Sequence, residues 1–272
     1  MVTHAITRAV GTSLGDCALT FVDRAPIDLA KAEAQHAAYS ESLRRAGAVV
    51  EVVAADALPD SVFVEDMAVV LDEVAVVTRP GTPLRRRELP AITAALSAYR
   101  KLLRIVAPAT LEGGDVLRIG RDFYVGISSR TNGQGFSQFA SIVRAFGYRA
   151  TPIEVKRCLH LKTAVTALDA ETLLVNPSWI DAASLPRVRR LIVPPEEPLG
   201  ANALVVNGVV HLSARWKRTK ELVERAGFSV NALDVSEFEK AEAGLTCLSL
   251  IFSAERQTVP HSVRRRSEAI RG

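Results

Sequence analysis

The chain repeats a hairpin pattern five times, and this repeat limits the folds that it can adopt. In the first four copies a polar residue precedes an apolar strand, a short turn follows, and a second apolar strand returns. These copies read MAVV-LDE-VAVVT, DVLRI-GRD-FYVGIS, AVTAL-DAE-TLLVN and NALVV-NG-VVHLSA, and the fifth is CLSLIFSA near the C-terminus. Gly120 and Asn207-Gly208 lie where tight hairpin turns favour glycine and asparagine. The pattern therefore predicts a series of β-hairpins.

Segments with helical apolar spacing separate the hairpins. The first runs from Leu29 to Leu43 and precedes Gly47, which is suited to end a helix. Similar segments are expected at residues 83–103, 131–146, 180–190 and 216–226. Each helical segment leads into another short apolar stretch, namely VVEVV, LRIV, RATPIEV, RLIV or FSVNAL. The repeating unit is therefore predicted to be ββαβ.

One such unit cannot bury both faces of its strands, so copies spaced about 40–50 residues apart indicate a closed ring or an array. Five copies favour a closed α/β ring of pseudo-symmetric ββαβ units. The N-terminal strand HAITRAV is expected to complete the fifth unit. A doubly wound sheet ranks second, because it needs single strands alternating with helices. We predict one catalytic domain over residues 1–260 and a basic, disordered tail over 261–272.

Composition argues against partners other than a small molecule. The formal charge is +4, but four arginines and one glutamate in the tail account for most of it, and aromatic residues make up only 6%. Nucleic acid is therefore not expected as a partner. No apolar run reaches the roughly 20 residues that span a bilayer, and no secretion signal is recognisable. We predict a cytoplasmic monomer or homodimer in which the three cysteines, Cys17, Cys158 and Cys247, are free thiols.

Residues that are capable of catalysis or binding recur at equivalent positions of the repeat, at or just before the first strand of each hairpin. They are separated by 47, 48, 42 and 45 residues and comprise Glu65-Asp66, Glu112, His160, Asn202 and Cys247. Each has an ordinary structural explanation when taken alone, since single buried cysteines and histidines are common core residues. In a fivefold ring, however, equivalent positions point at a common axis. Apart from Asn202, which we interpret as structural, these residues predict one central pocket.

Other site types find no support in the sequence. The glycines of LEGGDVL do not form a phosphate-binding GxGxxG or GxxxxGK[ST] motif, and the histidines lack metal-ligand spacing. We therefore expect neither a cofactor nor a metal.

Several segments resemble the dimethylarginine dimethylaminohydrolases of the guanidine-modifying (pentein) superfamily. They occur in the family order and cover nearly the whole chain to about Ser253: LPDSVFVEDMAVV (58–70), TRPG (78–81), LEGGDVL (111–117), SSRTNGQG (128–135), LHLKT (159–163) and GLTCLS (244–249). The resemblance implies a five-bladed α/β propeller, in agreement with the repeat. It also implies hydrolysis of ω-N-methylated arginine to citrulline and an alkylamine through a covalent S-alkylthiouronium.

The resemblance assigns roles to ten residues. It implies Cys247 as the nucleophile, His160 as the general acid and base, and Glu112 with Asp66 as carboxylates around the guanidinium. The remaining substrate-binding residues that it implies are Glu65 beside Asp66, Asp60 at the α-amine, Arg85 and Arg130 at the α-carboxylate, and backbone groups of Leu19 and Ala241. The stretch LGDCALT (14–20) is expected to form a flap, and it departs from relatives in carrying Cys17.

The implied chemistry suits these groups, because a resonance-stabilised guanidinium requires a strong nucleophile and a protonated leaving amine. Two alternatives stay open. An arginine deiminase would use the same groups on unmethylated arginine, although such enzymes usually carry a helical insertion for which this chain is short. A non-catalytic propeller acting as a binding protein would not need the cysteine, the histidine and both carboxylates together.

Overall fold

Five small sheets succeed one another along the part of the chain that the structure describes, residues 1–255 of a computed structural model. Their strands are β1 (Val2–Arg8), β2 (Val49–Val53), β3 (Ala68–Val70), β4 (Val74–Val77), β5 (Lys101–Arg104), β6 (Val116–Ile119), β7 (Asp122–Ile127), β8 (Arg149–Glu154), β9 (Val165–Ala167), β10 (Thr172–Val175), β11 (Arg189–Ile192), β12 (Leu204–Val206), β13 (Val209–Ser213), β14 (Ser229–Leu233) and β15 (Leu250–Ala254). The predicted limit at residue 260 and the tail 261–272 lie outside the described residues.

Each sheet has three strands with the same connectivity. The strand orders are β15-β1-β2, β3-β4-β5, β6-β7-β8, β9-β10-β11 and β12-β13-β14. In every sheet the first two strands pair antiparallel, and the third pairs parallel to the middle one. This is the predicted five-bladed α/β propeller. The four predicted hairpins are confirmed, and β15 forms the corresponding antiparallel pair with β1.

The first and last strands of the described chain close the ring. β1 pairs antiparallel with β15, from Val2 opposite Ala254 to Ile6 opposite Leu250. On its other side β1 pairs parallel with β2. The prediction that the N-terminal strand completes the fifth blade is confirmed. The first strand of every hairpin lines a funnel of about 660 Å³ along the ring axis.

Helices occupy most of the crossovers between middle and outer strands. The α-helices are α1 (Leu29–Arg45), α2 (Leu89–Ser97), α3 (Gly133–Arg144), α4 (Leu161–Ala164), α5 (Lys217–Arg225) and α6 (Ser236–Glu239). Single 3-10 turns cover Leu14–Asp16, Val64–Met67, Leu84–Glu88, Gly113–Asp115, Ala182–Ser184, Pro198–Ala201 and Thr246–Leu248. No helix of the described residues has the length and apolar character needed to cross a membrane.

Local chemistry explains where α1 begins and ends and where the turn of the fourth predicted hairpin lies. Asp28 caps α1 by accepting a hydrogen bond from the backbone N–H of Lys31, and Gly47 beyond its end has φ of +85°. Between β12 and β13, Asn207 and Gly208 both have positive φ, 48° and 81°. A two-residue hairpin turn of this twist requires two such residues in succession.

The helix predicted at 180–190 is wrong. The helical part of this stretch is limited to the 3-10 turn Ala182–Ser184, after which Leu185 is extended with φ of −77° and ψ of 155°. Leu185 precedes Pro186, and the proline ring clashes with a helical conformation of the residue before it. The helix predicted at 83–103 is also shorter than expected, since α2 ends at Ser97 and β5 begins at Lys101.

Apolar side chains pack in five clusters between helices and neighbouring blades. The cluster under α1 includes Tyr39, whose hydroxyl donates to the carbonyl of Leu245 at 3.0 Å and lies 2.7 Å from the hydroxyl of Ser249. These two residues flank the 3-10 turn Thr246–Leu248. Helix α1 thus helps to fix a turn at the ring axis.

We predict that His36 on α1 makes folding pH-dependent. His36 is buried, its Nε2 has no hydrogen-bond partner, and burial lowers its pKa from 6.5 to about 4. Between pH 4 and pH 6.5 the imidazole of His36 is neutral in the folded chain but takes up a proton when the chain unfolds. Its contribution to stability is therefore complete above pH 6.5 and is lost as the pH falls towards 4.

The matched variant is His36→Leu, which cannot titrate. Between pH 7 and pH 5 the free energy of unfolding of the unmodified chain should fall by about 2 kcal/mol more than that of the variant. Urea unfolding at both pH values measures the difference. Equal slopes for the two proteins would show that His36 is not the titrating group.

Candidate active site

Short turns at the ring axis carry the polar residues that the repeat singled out. Each turn directly precedes the first strand of a hairpin, which places Glu65 and Asp66 in Val64–Met67, Glu112 before Gly113–Asp115, His160 before α4, Asn202 after Pro198–Ala201, and Cys247 in Thr246–Leu248. The common phase predicted from the sequence is thus a common structural position.

One small cavity at the axis brings most of the predicted site together. It measures about 20 Å³, and its walls include Asp60, Asp66, Arg85, Arg130, His160, Ala241 and Cys247. These are seven of the ten residues predicted for the site. Glu112 stands behind the wall, whereas Leu19 and Glu65 do not line this cavity. The volume suffices for about one water molecule, so an amino acid could bind only after neighbouring segments move.

His160 is held between two carboxylates. Its Nε2 lies 2.7 Å from Oε2 of Glu112 and 3.7 Å from Oδ1 of Asp66, and all three side chains are buried. Burial alone would lower the pKa of His160, but the charge of Asp66 and the hydrogen bond to Glu112 outweigh it and raise the pKa to about 9. The imidazole is therefore protonated at neutral pH.

Asp66 is the most heavily engaged carboxylate of the site. Its Oδ2 accepts from Arg85 at 2.6 Å, and its Oδ1 accepts from the backbone N–H of Gly114 at 2.9 Å. Burial would raise the pKa of Asp66, but His160 and Arg85 reverse that effect and hold it well below the usual range. Asp66 is therefore anionic at neutral pH.

Close packing explains the two glycines of LEGGDVL. A Cβ atom on Gly113 would lie 2.0 Å from the carbonyl oxygen of Glu65, and one on Gly114 would lie 2.6 Å from Nδ1 of His160. Any larger residue would push apart the turns that carry the catalytic candidates. These glycines serve close approach between blades, not phosphate binding.

Cys247 lines the same cavity as His160 and is an unpaired, partly buried thiol. Its Sγ accepts a long hydrogen bond, 3.4 Å, from the backbone N–H of Gly244. Burial, followed by the charges of Glu65 and Asp66, raises the pKa of Cys247 to about 12. In the resting site the sulfur is thus a neutral thiol opposite an imidazolium.

Glu65 lies on the opposite side of the turn from the cavity. Its Oε1 lies 2.6 Å from Nζ of Lys162, and its Oε2 accepts from the hydroxyl of Thr246 at 2.9 Å. All three residues line the inner part of the axial funnel. Contact between Glu65 and a substrate stays a prediction, because its carboxylate is occupied by these two partners.

Two arginines border the cavity, as predicted, but in different surroundings. Arg85 is buried, pairs with Asp66 and with Glu88 at 3.1 Å, and donates to the carbonyl of Phe63. Arg130 has no close carboxylate partner, since its nearest contact of this kind is Glu112 at 3.8 Å. Arg130 is therefore the arginine with more capacity for an additional anion.

The segment expected to form a flap lies against the cavity. Ala18 lines it and donates its backbone N–H to Oδ1 of Asp60 at 3.2 Å. Further along, the N–H groups of Thr20 and Phe21 donate to the carboxylate of Glu242 at 2.7 and 3.1 Å. These three backbone bonds hold the segment closed. Leu19 lies between them, and its backbone contact with substrate stays a prediction.

Asp66, Glu112 and His160 have potential ligand atoms within 4.8 Å of one another. A protonated histidine cannot coordinate a metal, and Arg85 already neutralises Asp66. Within the described residues, the charges of these side chains are thus balanced without a bound cation. We assign no metal to the site.

Sequence reasoning missed residues that act through side-chain contacts. Lys162 was not recognised, although it stands two positions after His160 in LHLKT. Glu242 was also missed, although it follows Ala241 directly. Proximity to an identified residue was the available signal, but it does not show which way a side chain points.

Comparison with known proteins gives one consistent result. The arginine deiminase family matches residues 27–197. An N(G),N(G)-dimethylarginine dimethylaminohydrolase from Pseudomonas aeruginosa is 35% identical over 255 residues, which is 93% of this chain and 100% of the relative. A protein of the same name from Streptomyces coelicolor is 38% identical over 249 residues, or 90% of this chain and 95% of the relative.

A solved structure supports the same grouping. The Pseudomonas aeruginosa protein, as a cysteine-to-serine mutant in complex with citrulline, superposes with a TM-score of 0.88 at 35% identity. The match covers 93% of this chain and 100% of that one. The similarity therefore extends over the whole ring, not over one blade.

We predict that Lys162 stabilises the ring by neutralising Glu65. Replacing it in Lys162→Met leaves a buried carboxylate with only the Thr246 hydroxyl, which should lower the free energy of unfolding by about 3 kcal/mol. The double variant Lys162→Met/Glu65→Gln removes both charges and should recover most of the loss. Urea unfolding measures all three proteins. Equal stability of the single and double variants would contradict the prediction.

Proposed function

This chain belongs to the dimethylarginine dimethylaminohydrolase family, within the wider arginine deiminase family, and we propose that it hydrolyses ω-N-methylated arginine to citrulline and an alkylamine. The observation that carries the proposal is the shared cavity of Cys247, His160 and Asp66, with Glu112 hydrogen-bonded behind it. A thiol, an imidazolium and two carboxylates are the groups that attack on a guanidinium requires.

The carboxylates orient the substrate. A guanidinium presents planar N–H donors, and charged acceptors bind it with strong, directional hydrogen bonds. Asp66 and Glu112 would hold it so that its central carbon faces Sγ of Cys247. In the resting site Asp66 pairs with Arg85, and Glu112 pairs with His160. The cationic substrate would be a further partner of both carboxylates.

Substrate binding would also supply the charge that ionises the nucleophile. The carboxylates that raise the pKa of Cys247 are partly neutralised when a cation enters the cavity. The sulfur then releases its proton to solvent and becomes a thiolate only when a guanidinium is in place to be attacked. A neutral electrophile of similar size would not produce this effect.

The reaction proceeds in two half-reactions. First the thiolate of Cys247 bonds to the guanidinium carbon, and His160 donates its proton to the methylated nitrogen as the C–N bond breaks. The alkylamine leaves, and an S-alkylthiouronium remains. His160, now neutral, takes a proton from water as the oxygen attacks the same carbon. The C–S bond then breaks, which releases citrulline and restores the cysteine.

The other end of the substrate would be recognised by charge. Asp60 lies at the cavity wall for the α-ammonium, and Arg130 has capacity for the α-carboxylate. The flap contacts both, because the N–H of Ala18 donates to Asp60 and the hydroxyl of Thr20 accepts from Arg130 at 3.4 Å. The amino-acid end of the substrate would therefore compete with the flap for the same groups.

Arginine deimination is the second candidate, because the arginine deiminase family matches residues 27–197. It would use the same two half-reactions and release ammonia. Preference among unmethylated, monomethylated and dimethylated arginine depends on the space beside the leaving nitrogen. Product identity decides between the candidates.

We place the protein in the cytoplasm, as a monomer or homodimer that binds a small molecule. The proposed chemistry requires a reduced Cys247, and all three cysteines are unpaired. Unpaired thiols persist in the reducing cytoplasm.

The main test is citrulline formation with arginine, monomethylarginine and dimethylarginine, with separate detection of ammonia and alkylamine. Cys247→Ser should bind substrate but lose citrulline formation by at least about a thousandfold. Cys158→Ser is the matched control and should retain activity, because Cys158 does not line the catalytic cavity. Normal turnover by Cys247→Ser would end the proposal.

Arg130 provides a second test. Arg130→Ala should raise KM for amino-acid substrates at least about tenfold, equivalent to 1.4 kcal/mol, because a carboxylate contact is lost. The control substrate is methylated agmatine, which has no carboxylate. Its slow turnover should be the same in both proteins. An unchanged KM for methylated arginine would remove Arg130 from the binding site.

A further inference from the structure

Asp115 is a buried carboxylate for which the reaction has so far no use. It ends the turn Gly113–Asp115, three residues after Glu112, and none of its surface is exposed to solvent. An unpaired charge in such a place would be strongly destabilising. The contacts of Asp115 therefore indicate what the residue does.

One carboxylate oxygen fixes the peptide that follows His160. Oδ1 accepts from the backbone N–H of Leu161 at 2.9 Å. His160 is the residue before α4, so this bond sets the direction in which its imidazole leaves the backbone. Gly126 makes room for the contact, since a Cβ atom there would lie 2.5 Å from the same oxygen.

The other oxygen fixes the turn that carries Arg130. Oδ2 accepts from the hydroxyl of Ser128 at 2.6 Å. Because its proton is directed at Asp115, the Ser128 oxygen is free to accept from the N–H groups of Arg130 and Thr131, at 3.0 and 3.2 Å. Thr131 in turn accepts the N–H of Glu112 through its hydroxyl at 3.1 Å.

The charge of Asp115 also acts on His160. Three carboxylates surround this imidazole, namely Asp66, Glu112 and Asp115, and each favours its protonated form. Burial raises the pKa of Asp115 to about 6 in spite of His160 and the hydroxyl of Ser128. Cys158 is a further ionisable group near Asp115. Burial and the charge of Asp115 raise the pKa of Cys158 to about 12. At neutral pH Asp115 is thus mainly anionic and Cys158 neutral.

We propose that Asp115 is a positioning residue that holds His160, Glu112 and Arg130 in one rigid unit. It also adds negative charge beside His160. The proposal rests on the proposed function, because it gives His160 and Arg130 their assigned roles. One buried carboxylate thereby couples two ends of the substrate site that lie in different parts of the chain.

Two variants separate charge from geometry. Asp115→Asn retains an oxygen for the N–H of Leu161 and can still bond Ser128, but it loses the charge. We expect kcat to fall at least about tenfold with little change in KM, and the pKa of His160 in the free protein to fall by about one unit. Ser128→Ala keeps the Asp115 carboxyl group but releases the Arg130 turn. It should raise KM about fivefold and move the His160 titration less than Asp115→Asn does.

The titration is measured by NMR of the ring C–H signals, with His160→Gln used to assign the signal among the five histidines. A merely structural role would lower the thermal stability of both variants without separating kcat, KM and the titration. The proposal is overturned if Asp115→Asn leaves the His160 titration unaltered and kcat within about twofold. If Asp115→Asn does not fold, an unchanged KM in Ser128→Ala overturns it.

The NMR titration also distinguishes a failure of the role proposed for Asp115 from a failure of the proposed function. If the unmodified protein forms no citrulline from any arginine derivative, the proposed function fails. The His160 titration in Asp115→Asn then still shows whether the charge of Asp115 acts on the imidazole, and an unaltered titration would refute that part of the proposal.

Discussion

Buried charge needs compensation, and this requirement determines the arrangement at the centre of the ring. Asp66, Arg85, Glu112 and His160 are each less than a tenth exposed, and every one of them has an oppositely charged neighbour. Removing any one would take a compensating charge away from its partners in a medium that solvates ions poorly. The blades must therefore approach closely enough for these pairs to form, which explains why Gly113 and Gly114 have no side chain.

The resting site combines a protonated His160 with a neutral Cys247. This state is the reverse of a preformed thiolate, and it keeps the sulfur unreactive towards neutral electrophiles. Selectivity for a cation follows from the same carboxylates that suppress the thiolate. Binding and activation would thus depend on one set of charges, so a molecule that does not bind as a cation does not activate the cysteine.

Much of the fold could be predicted from the sequence, because turn residues and alternating apolar strands are local signals. Asn207-Gly208 specifies its hairpin turn locally. The shared position of His160 and Cys247 just before their hairpins predicted that they line one pocket, although 86 residues separate them. The helix predicted at 180–190 failed because Pro186 outweighed an apolar spacing. The partners of Glu65 and Asp115 could not be predicted, since side-chain direction across blades depends on contacts distant in sequence.

The pairing of β1 with β15 has a consequence for biosynthesis. Of the described strands, β1 is made before the others and β15 after them, so one edge of β1 stays open while some 240 intervening residues are added. At ordinary rates of translation this interval lasts on the order of tens of seconds. Cys247 arrives with the closing strand. A nascent chain therefore has no hydrolytic capacity until its ring is joined.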